Sequence, residues 1–443
     1  MSRTTRIFCV STLYGAATLA AAIDSDLFTE EDRRLLLVFN NSTTPETTTP
    51  VDAMPGFEPL RARFDGVLSW NEAISPFHPG AWTPRADDVP ILERYLRMLW
   101  DLGDDRVELV VESIQVTPAL TVAQLFPEAP VHVYADGLMS YGPTRNKIDP
   151  LVGTRVRRLL HLDLVPGLTP LLLTEFGVPA ELVPTEAFLK SLSELTSSVT
   201  ELPSLPDNSA LLLGQYLSAL DILTPDEEED LHIRMLRGAV ARGHREIVFK
   251  PHPTAPARYS RALEAEAELL GVDLTVLDLP ILAEILFEKS PPGLVVGCFS
   301  TALFTASAFY GLPVARIGTE RLLDRLTPYQ NSNRMPTVLA DALLPDLEGR
   351  AGEEPLAGEE LTGLVEAVGF TMQAQLYPGL RGAAERYLSR HLGGRTRRYF
   401  KKRRLTALGL PGGIPERLAF LPHNATARRV VRRARALKRS VKR

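Results

Sequence analysis

Cysteine is nearly absent from this 443-residue chain, which carries only Cys9 and Cys298. Both lie in apolar, strand-like runs, so the sequence offers neither a disulfide framework nor a thiolate metal site, and a reducing cytosol suits it. Long apolar runs are missing as well. Nowhere do about 18 uninterrupted apolar residues follow one another, which excludes a spanning helix defined by hydropathy. The eight histidines show no His-Glu-x-x-His spacing, and we expect no protein-held metal. Neither G-x-G-x-x-G nor a P-loop occurs, which weakens dinucleotide and NTPase readings.

What is present is ordinary for a globular protein: 45% hydrophobic and 23% charged residues, in a chain longer than one typical core. Two large domains are the expectation. Charge, by contrast, is distributed unevenly. Residues 395–443 hold 17 Lys and Arg and one acid, Glu416, so this tail carries +16 while the rest carries −21. The segment 428–439 gathers part of its apolar content on one helical side, as interfacial helices do. We expect the tail to attach to an anionic membrane surface; a solubilising tail and a track for a polyanionic sugar chain are the other readings. No stacking aromatics or binding module accompany the charge, and no nucleic acid is expected.

At the other end, Arg3, Arg6 and the Ala20-Ala21-Ala22 stretch imitate a secretory signal. Ser11, Thr12, Tyr14 and Gly15 interrupt the apolar core, and the segment parses better as strand, turn and small-residue helix. The first block continues with strands over Arg34–Asn40, Gly66–Trp70, Arg106–Gln115 and Val131–Tyr134 and helices over Tyr14–Ile23 and Val89–Leu102. Strand-like Leu171–Thr174 follows, and the Ser/Thr/Pro-rich stretch Leu192–Pro206 reads as a linker. The polar loop Asn40–Pro50 is expected to overhang a cleft or to move. A second block opens with strand Ala210–Gln215 and a helix whose N-cap is Thr224 and whose first residue is Pro225. Alternating strands and helices then run to Pro313–Ile317, which predicts parallel sheets covered on both faces. The expected fold class is α/β, with domains at 1–205 and 206–394 and the tail at 395–443.

Three segments carry chemistry. Ile247-Val248-Phe249 runs into Lys250-Pro251-His252-Pro253, placing His252 at the carboxyl end of a buried strand, where open α/β sheets hold ligands. The strand from Val131 ends in Ala135-Asp136-Gly137, with Gly137 expected to supply a positive-φ turn that leaves the Asp136 carboxylate facing a cleft. The apolar run from Leu294 ends in Ser300-Thr301 before an Ala-rich helix, a hydroxyl-bearing N-terminus suited to a phosphate. Each also has a plain reading, as an X-Pro turn, an Asp-Gly turn and an N-cap. Tyr14 and Gly15, at the first strand-helix turn, are cleft candidates on geometry.

Ala135-Asp136-Gly137, His252-Pro253 and Ser300-Thr301, in that order, with the opening segment Ile7–Leu19, resemble the bacterial sialyltransferases and most closely the α-2,8-polysialyltransferase family. That family carries an acidic-acidic-Gly tripeptide, a His-Pro pair and a Ser-Ser/Thr pair; the resemblance spans roughly residues 5–320. Here the first acid is replaced by Ala135, so any helper role of that position is lost or supplied elsewhere. The resemblance implies a GT-B architecture, two Rossmann-like domains facing across a cleft. It also implies CMP-sialic acid as donor in the second domain and a glycan acceptor, itself sialylated, in the first. Asp136 would then be the base, His252 would assist the departing phosphate, and Ser300 and Thr301 would bind it. Lys250 would neutralise phosphate charge or stand solvated, and Glu284 would hold the nucleotide ribose. No cofactor is expected, because sialic acid's own carboxylate stabilises the developing cation. The cysteine content and the basic tail, for their part, lead us to expect a cytoplasmic protein attached peripherally to the inner face of the plasma membrane. A GT-B enzyme with another nucleotide sugar and a non-catalytic membrane scaffold are the alternatives.

Overall fold

The structure, a computed structural model, describes residues 3–28, 33–200, 202, 205, 206, 208–252, 255–349 and 354–414. Two parallel sheets account for its strands. The first comprises β1 (Thr4–Val10), β2 (Arg33–Val38), β3 (Gly66–Ser69), β4 (Arg106–Glu112), β5 (Val131–Ala135), β6 (Val156–His161) and β7 (Ala180–Leu182). Their spatial order is β3-β2-β1-β4-β5-β6-β7. The second comprises β8 (Ala210–Leu213), β9 (Glu246–Lys250), β10 (Asp273–Val276), β11 (Leu294–Gly297) and β12 (Val314–Arg316), ordered β10-β9-β8-β11-β12.

Alternation along the strands explains why both faces of the first sheet are covered. On β1, Ile7 and Cys9 join one apolar cluster with Leu35, Leu37, Leu109 and Val111. Phe8 and Val10 join another, which continues through the seam between the domains into the core of the second sheet. A parallel sheet buried on both faces reads as continuous apolar sequence, and that is how these strands were recognisable. The Ala-rich helix Leu13–Asp24 buries Ala16, Ala17, Ala20 and Ala21, small residues that let its backbone lie close to its neighbours. Thr12 caps it, accepting from Gly15 N at 2.9 Å. In the second domain Thr224 and Glu227 form a capping box at the start of helix Pro225–Ala241.

The structure corrects several expectations. Leu171–Thr174 is a turn with Leu173 at φ 66°, followed by a short 3-10 helix, because the edge of the sheet is taken by Ala180–Leu182. The linker does not begin at Leu192: helix Thr185–Ser198 buries Phe188, Leu192 and Leu195, and Ser193 Oγ donates to Glu288 Oε1 of the second domain at 2.7 Å. The loop Asn40–Pro50 is folded on itself, Asn40 Nδ2 donating to the carbonyls of Pro45 and Thr48. It walls an open groove of about 590 Å³ together with Asn71 and His78.

The C-terminal boundary also moves. Helix Gly358–Met372 is followed by a segment that returns to the first domain, where Tyr377 Oη donates to Glu175 Oε2 at 2.6 Å and accepts from Thr144 N at 2.8 Å. The basic stretch from Arg395 is not a tail at its start. Arg395 donates to the Glu354 and Ala342 carbonyls, and Tyr399 Oη donates to the buried Asp341 at 2.9 Å. Tyr399, Phe400 and Leu405 are buried, so apolar residues interleaved with the arginines hold residues 395–414 on the second domain. Residues 415–443, with the rest of the expected membrane-attaching tail, lie outside the described residues. Among the described residues no helix is long and apolar enough to cross a membrane.

Candidate active site

The strand order of the first sheet reverses between β1 and β4, and open parallel sheets hold ligands at the carboxyl ends flanking such a point. Here β1 leads into Ser11 and Thr12, β4 ends in Glu112, and β5 runs on to Asp136. Tyr134 lies beneath, its Oη donating to Cys9 O at 2.9 Å. Asp136 is half-buried, and its carboxyl is pushed up to about 7, first by loss of hydration and then by the negative charge of Glu112. Burial raises Glu112 as well, opposed by Ser11, whose Oγ donates to Glu112 Oε2 at 2.5 Å.

Gly15 and Gly137 are explained by close approach. A Cβ on Gly15 would lie 3.0 Å from Tyr134 Oη and 3.4 Å from Asp136 Oδ2. Gly137 does not supply the expected positive-φ turn, since its φ is −122° and its ψ 172°. What it supplies is room: a Cβ there would stand 3.3 Å from Thr301 Oγ1, on the second domain.

Opposite, β9 and β11 flank β8, so that the turns carrying His252 and Ser300 lie on either side of Gly214-Gln215. Gly214 lets the His252 strand end pass closely, with Pro251 Cα and His252 N within 3.3 and 3.4 Å of a notional Cβ. Gln215 Oε1 accepts from Cys298 N at 3.1 Å and from Phe299 N at 2.9 Å, holding the turn that presents Ser300. Ser300 is the N-cap of helix Thr301–Ala308, accepting from Ala302 N. The His252 side chain is exposed at the rim beside Tyr216; its pKa is lowered, chiefly by partial loss of hydration. Pro253 lies outside the described residues.

Behind the Ser300 turn the two domains touch through polar groups. Tyr14 Oη and Thr305 Oγ1 are 3.1 Å apart, and Thr305 also bonds Glu284. Glu284 is 3% exposed and its carboxyl is raised to about 7 by burial. Instead of lining an open ribose site, it is covered by this contact. Nor is Lys250 solvated: it is buried, donates from Nζ to Leu279 O at 3.0 Å, and has a pKa lowered by the loss of water.

Thus Asp136, Gly137, Ser300 and Thr301 converge on one seam with Tyr14 and Gly15, and His252 stands on the same edge of the second sheet as Ser300. Lys250 and Glu284 lie below the surface. Sequence reasoning missed Ser11, Glu112, Gln215 and Thr305. For Glu112 a signal existed, an acid closing the apolar run Val107–Val111, and Gln215 closes Leu211–Leu213 in the same way.

A family model described as alpha-2,8-polysialyltransferase (POLYST) matches residues 6–319. No curated protein matches the chain. Among solved structures, the GT-B domain of the Photobacterium damselae sialyltransferase is 12% identical, with 76% of this chain and 95% of that one covered at a TM-score of 0.42. Acinetobacter baumannii MurG is 11% identical over 86% of this chain and 95% of its own, TM-score 0.40. UGT71G1 of Medicago truncatula, complexed with UDP-glucose, is 11% identical over 89% and 96%, TM-score 0.42.

Proposed function

This chain belongs to the alpha-2,8-polysialyltransferase family and is a sialyltransferase of GT-B architecture, and on that footing we propose that it moves sialic acid from CMP-sialic acid to a sialylated glycan, extending an α-2,8-linked chain. The reaction is a single inverting displacement. Asp136 takes the proton of the acceptor hydroxyl as that oxygen attacks the anomeric carbon. The bond from that carbon to the CMP phosphate oxygen breaks, and the phosphate leaves with the electron pair. One observation carries the reading. A Cβ on Gly137 would stand 3.3 Å from Thr301 Oγ1, so the turn that carries the base meets the start of the helix that forms the phosphate cradle.

The chemistry of each group supports its role. A carboxyl raised to about 7 is a base matched to neutral pH, and a half-buried one meets the acceptor without full desolvation. His252, with its lowered pKa, donates a neutral imidazole N–H to the phosphate. The Ser300 and Thr301 hydroxyls complete the binding of the leaving group at a helix N-terminus. Charge developing on the sugar ring is stabilised by the donor's own carboxylate, so the reaction proceeds without a metal. Residues 415–443, rich in Arg, attach the enzyme to the inner, anionic face of the plasma membrane.

The test is CMP release from CMP-sialic acid with sialylated and neutral acceptors, for the wild type, Asp136→Asn and His252→Ala, with and without EDTA. We expect acceptor-dependent release, insensitive to EDTA, and lengthening of the sialylated acceptor. Loss of general-base catalysis lowers kcat by about 10²–10⁴-fold in Asp136→Asn. Release by wild type with full activity in both variants would remove this pair from the mechanism, and absence of both release and CMP binding would remove the donor.

A further inference from the structure

Asp136 has a companion that the motif does not name. β4 lies beside β5 with Glu112 opposite Tyr134 in register, so a second carboxyl closes the neighbouring strand just where β5 runs through Ala135 to Asp136. The two are near enough for the charge of Glu112 to act on Asp136. Each accepts a backbone N–H, Asp136 from its own residue and Glu112 from Ser11, but Glu112 alone also accepts a hydroxyl, Ser11 Oγ, just past β1, donating to Glu112 Oε2. A hydrogen bond to the charged form favours ionisation of the group that receives it, so when the pair holds a single proton, that proton resides on Asp136.

The other groups around Asp136 leave this pairing in control. Tyr134 below it and Tyr14 on the first helix are kept protonated by burial, and Cys9 on β1 likewise. Across the seam stands the Thr301 hydroxyl, which does not titrate. Among the described residues Glu112 is the one charge that acts on Asp136.

We infer that Glu112 is a positioning residue for sialyl transfer: anchored as an anion by Ser11, it makes Asp136 the carboxyl that takes up the acceptor's proton and supplies the second acid that β5 lacks at Ala135. The inference rests on Asp136 being the base. Its physical content is that of like charges. In the active form both carboxyls are ionised and repel. Moving the hydroxyl proton from the acceptor oxygen to Asp136 Oδ removes that repulsion as the new glycosidic bond forms, so Glu112 drives the transfer without touching the substrate.

The test is the pH dependence of kcat/KM, read by CMP release, for the wild type, Glu112→Gln and Glu112→Asp. The wild type should gain activity as pH rises through about 7. Glu112→Gln keeps an acceptor for Ser11 but removes the charge, so its ascending limb should move down by about one pH unit or more, with a lower plateau. Glu112→Asp should restore the limb toward its original place. A limb that stays put in Glu112→Gln while the rate falls would make Glu112 merely structural and overturn the inference. Because a variant can fail by misfolding, carboxyl ¹³C titration of the intact wild type gives a second reading. One aspartate and one glutamate resonance should respond together near neutral pH, the aspartate being the one lost in Asp136→Asn and the glutamate the one lost in Glu112→Gln, which sets it apart from Glu284, also raised to about 7; independent titration of Asp136 and Glu112 would also overturn it. Failure of the base assignment has a different signature, full activity of Asp136→Asn.

Discussion

At the residue scale, Gly137 states most directly what the seam requires. Its backbone is extended, a conformation open to any residue, so Gly137→Ala carries no backbone strain. The added methyl would meet Thr301 Oγ1 at 3.3 Å, and either the Asp136 turn or the start of helix Thr301–Ala308 must give way. We expect thermal stability within about 0.5 kcal/mol of the wild type and kcat/KM lower by roughly ten- to a hundredfold, the usual scale for a small misplacement of reacting groups. Kinetics paired with a thermal melt check this, and an unchanged kcat/KM would show that reaction does not occur at the seam. The same residue marks the limit of sequence reading. An Asp-Gly at a strand end was legible as a cleft-facing acid, because strand ends and turns leave local signals. That the glycine serves a contact with a residue 164 positions later was not, since nothing local encodes which turns meet. Glu112 was hidden for the same reason: its partnership with Asp136 arises from the β4–β5 register, which appears only when two distant strands are laid side by side.

At the scale of elements, the strands with strong apolar runs and the helix with the Thr224-Pro225 start were found where expected, because burial on both faces and capping are written in contiguous residues. Helix Thr185–Ser198 was masked by its Ser and Thr content, which reads as loop until the spacing of Phe188, Leu192 and Leu195 is set against a packing surface. The turn between β11 and helix Thr301–Ala308 depends on an element outside itself. Gln215, just past β8, accepts both the Cys298 and Phe299 N–H groups, and with Gln215→Ala two donors lose their partner at once. The expected cost is about 1–3 kcal/mol in stability, accompanied by weaker CMP binding because Ser300 and Thr301 are no longer held in place. Calorimetric titration with CMP beside thermal unfolding separates the two effects. A destabilised variant with unchanged CMP affinity would show that this turn does not hold the donor.

At the scale of the whole molecule, the acidic body and the basic terminus divide at a different point from the one composition marks. From Arg395 onward the sequence turns basic, yet the fold continues to residue 414: Arg404 donates to Thr371 O at 2.7 Å, and Arg398 and Tyr399 both engage Asp341, which is 0% exposed. These arginines neutralise and cap the second domain. Residues 415–443 keep ten Lys and Arg against one acid, enough attraction, at about 1 kcal/mol per basic residue near an anionic surface, for reversible attachment. Two truncations separate these roles. Ending the chain at residue 414 should leave the melting temperature and transfer to a soluble acceptor unchanged, while co-sedimentation with vesicles containing anionic lipid is lost. The full-length chain should bind such vesicles, and less so as salt rises, because exposed charges are screened beyond about 10 Å at 0.1 M. Ending it at residue 394 removes Tyr399 and Arg398 from Asp341, leaving that buried carboxylate only Arg316 and Thr319 as partners among the described residues, and strips the buried Tyr399, Phe400 and Leu405 from the second domain, each large side chain lost costing about 2–5 kcal/mol; that protein should melt much earlier or fail to fold. Equal vesicle binding by the full chain and by the chain ending at 414 would assign membrane attachment to the body of the enzyme and not to its terminus.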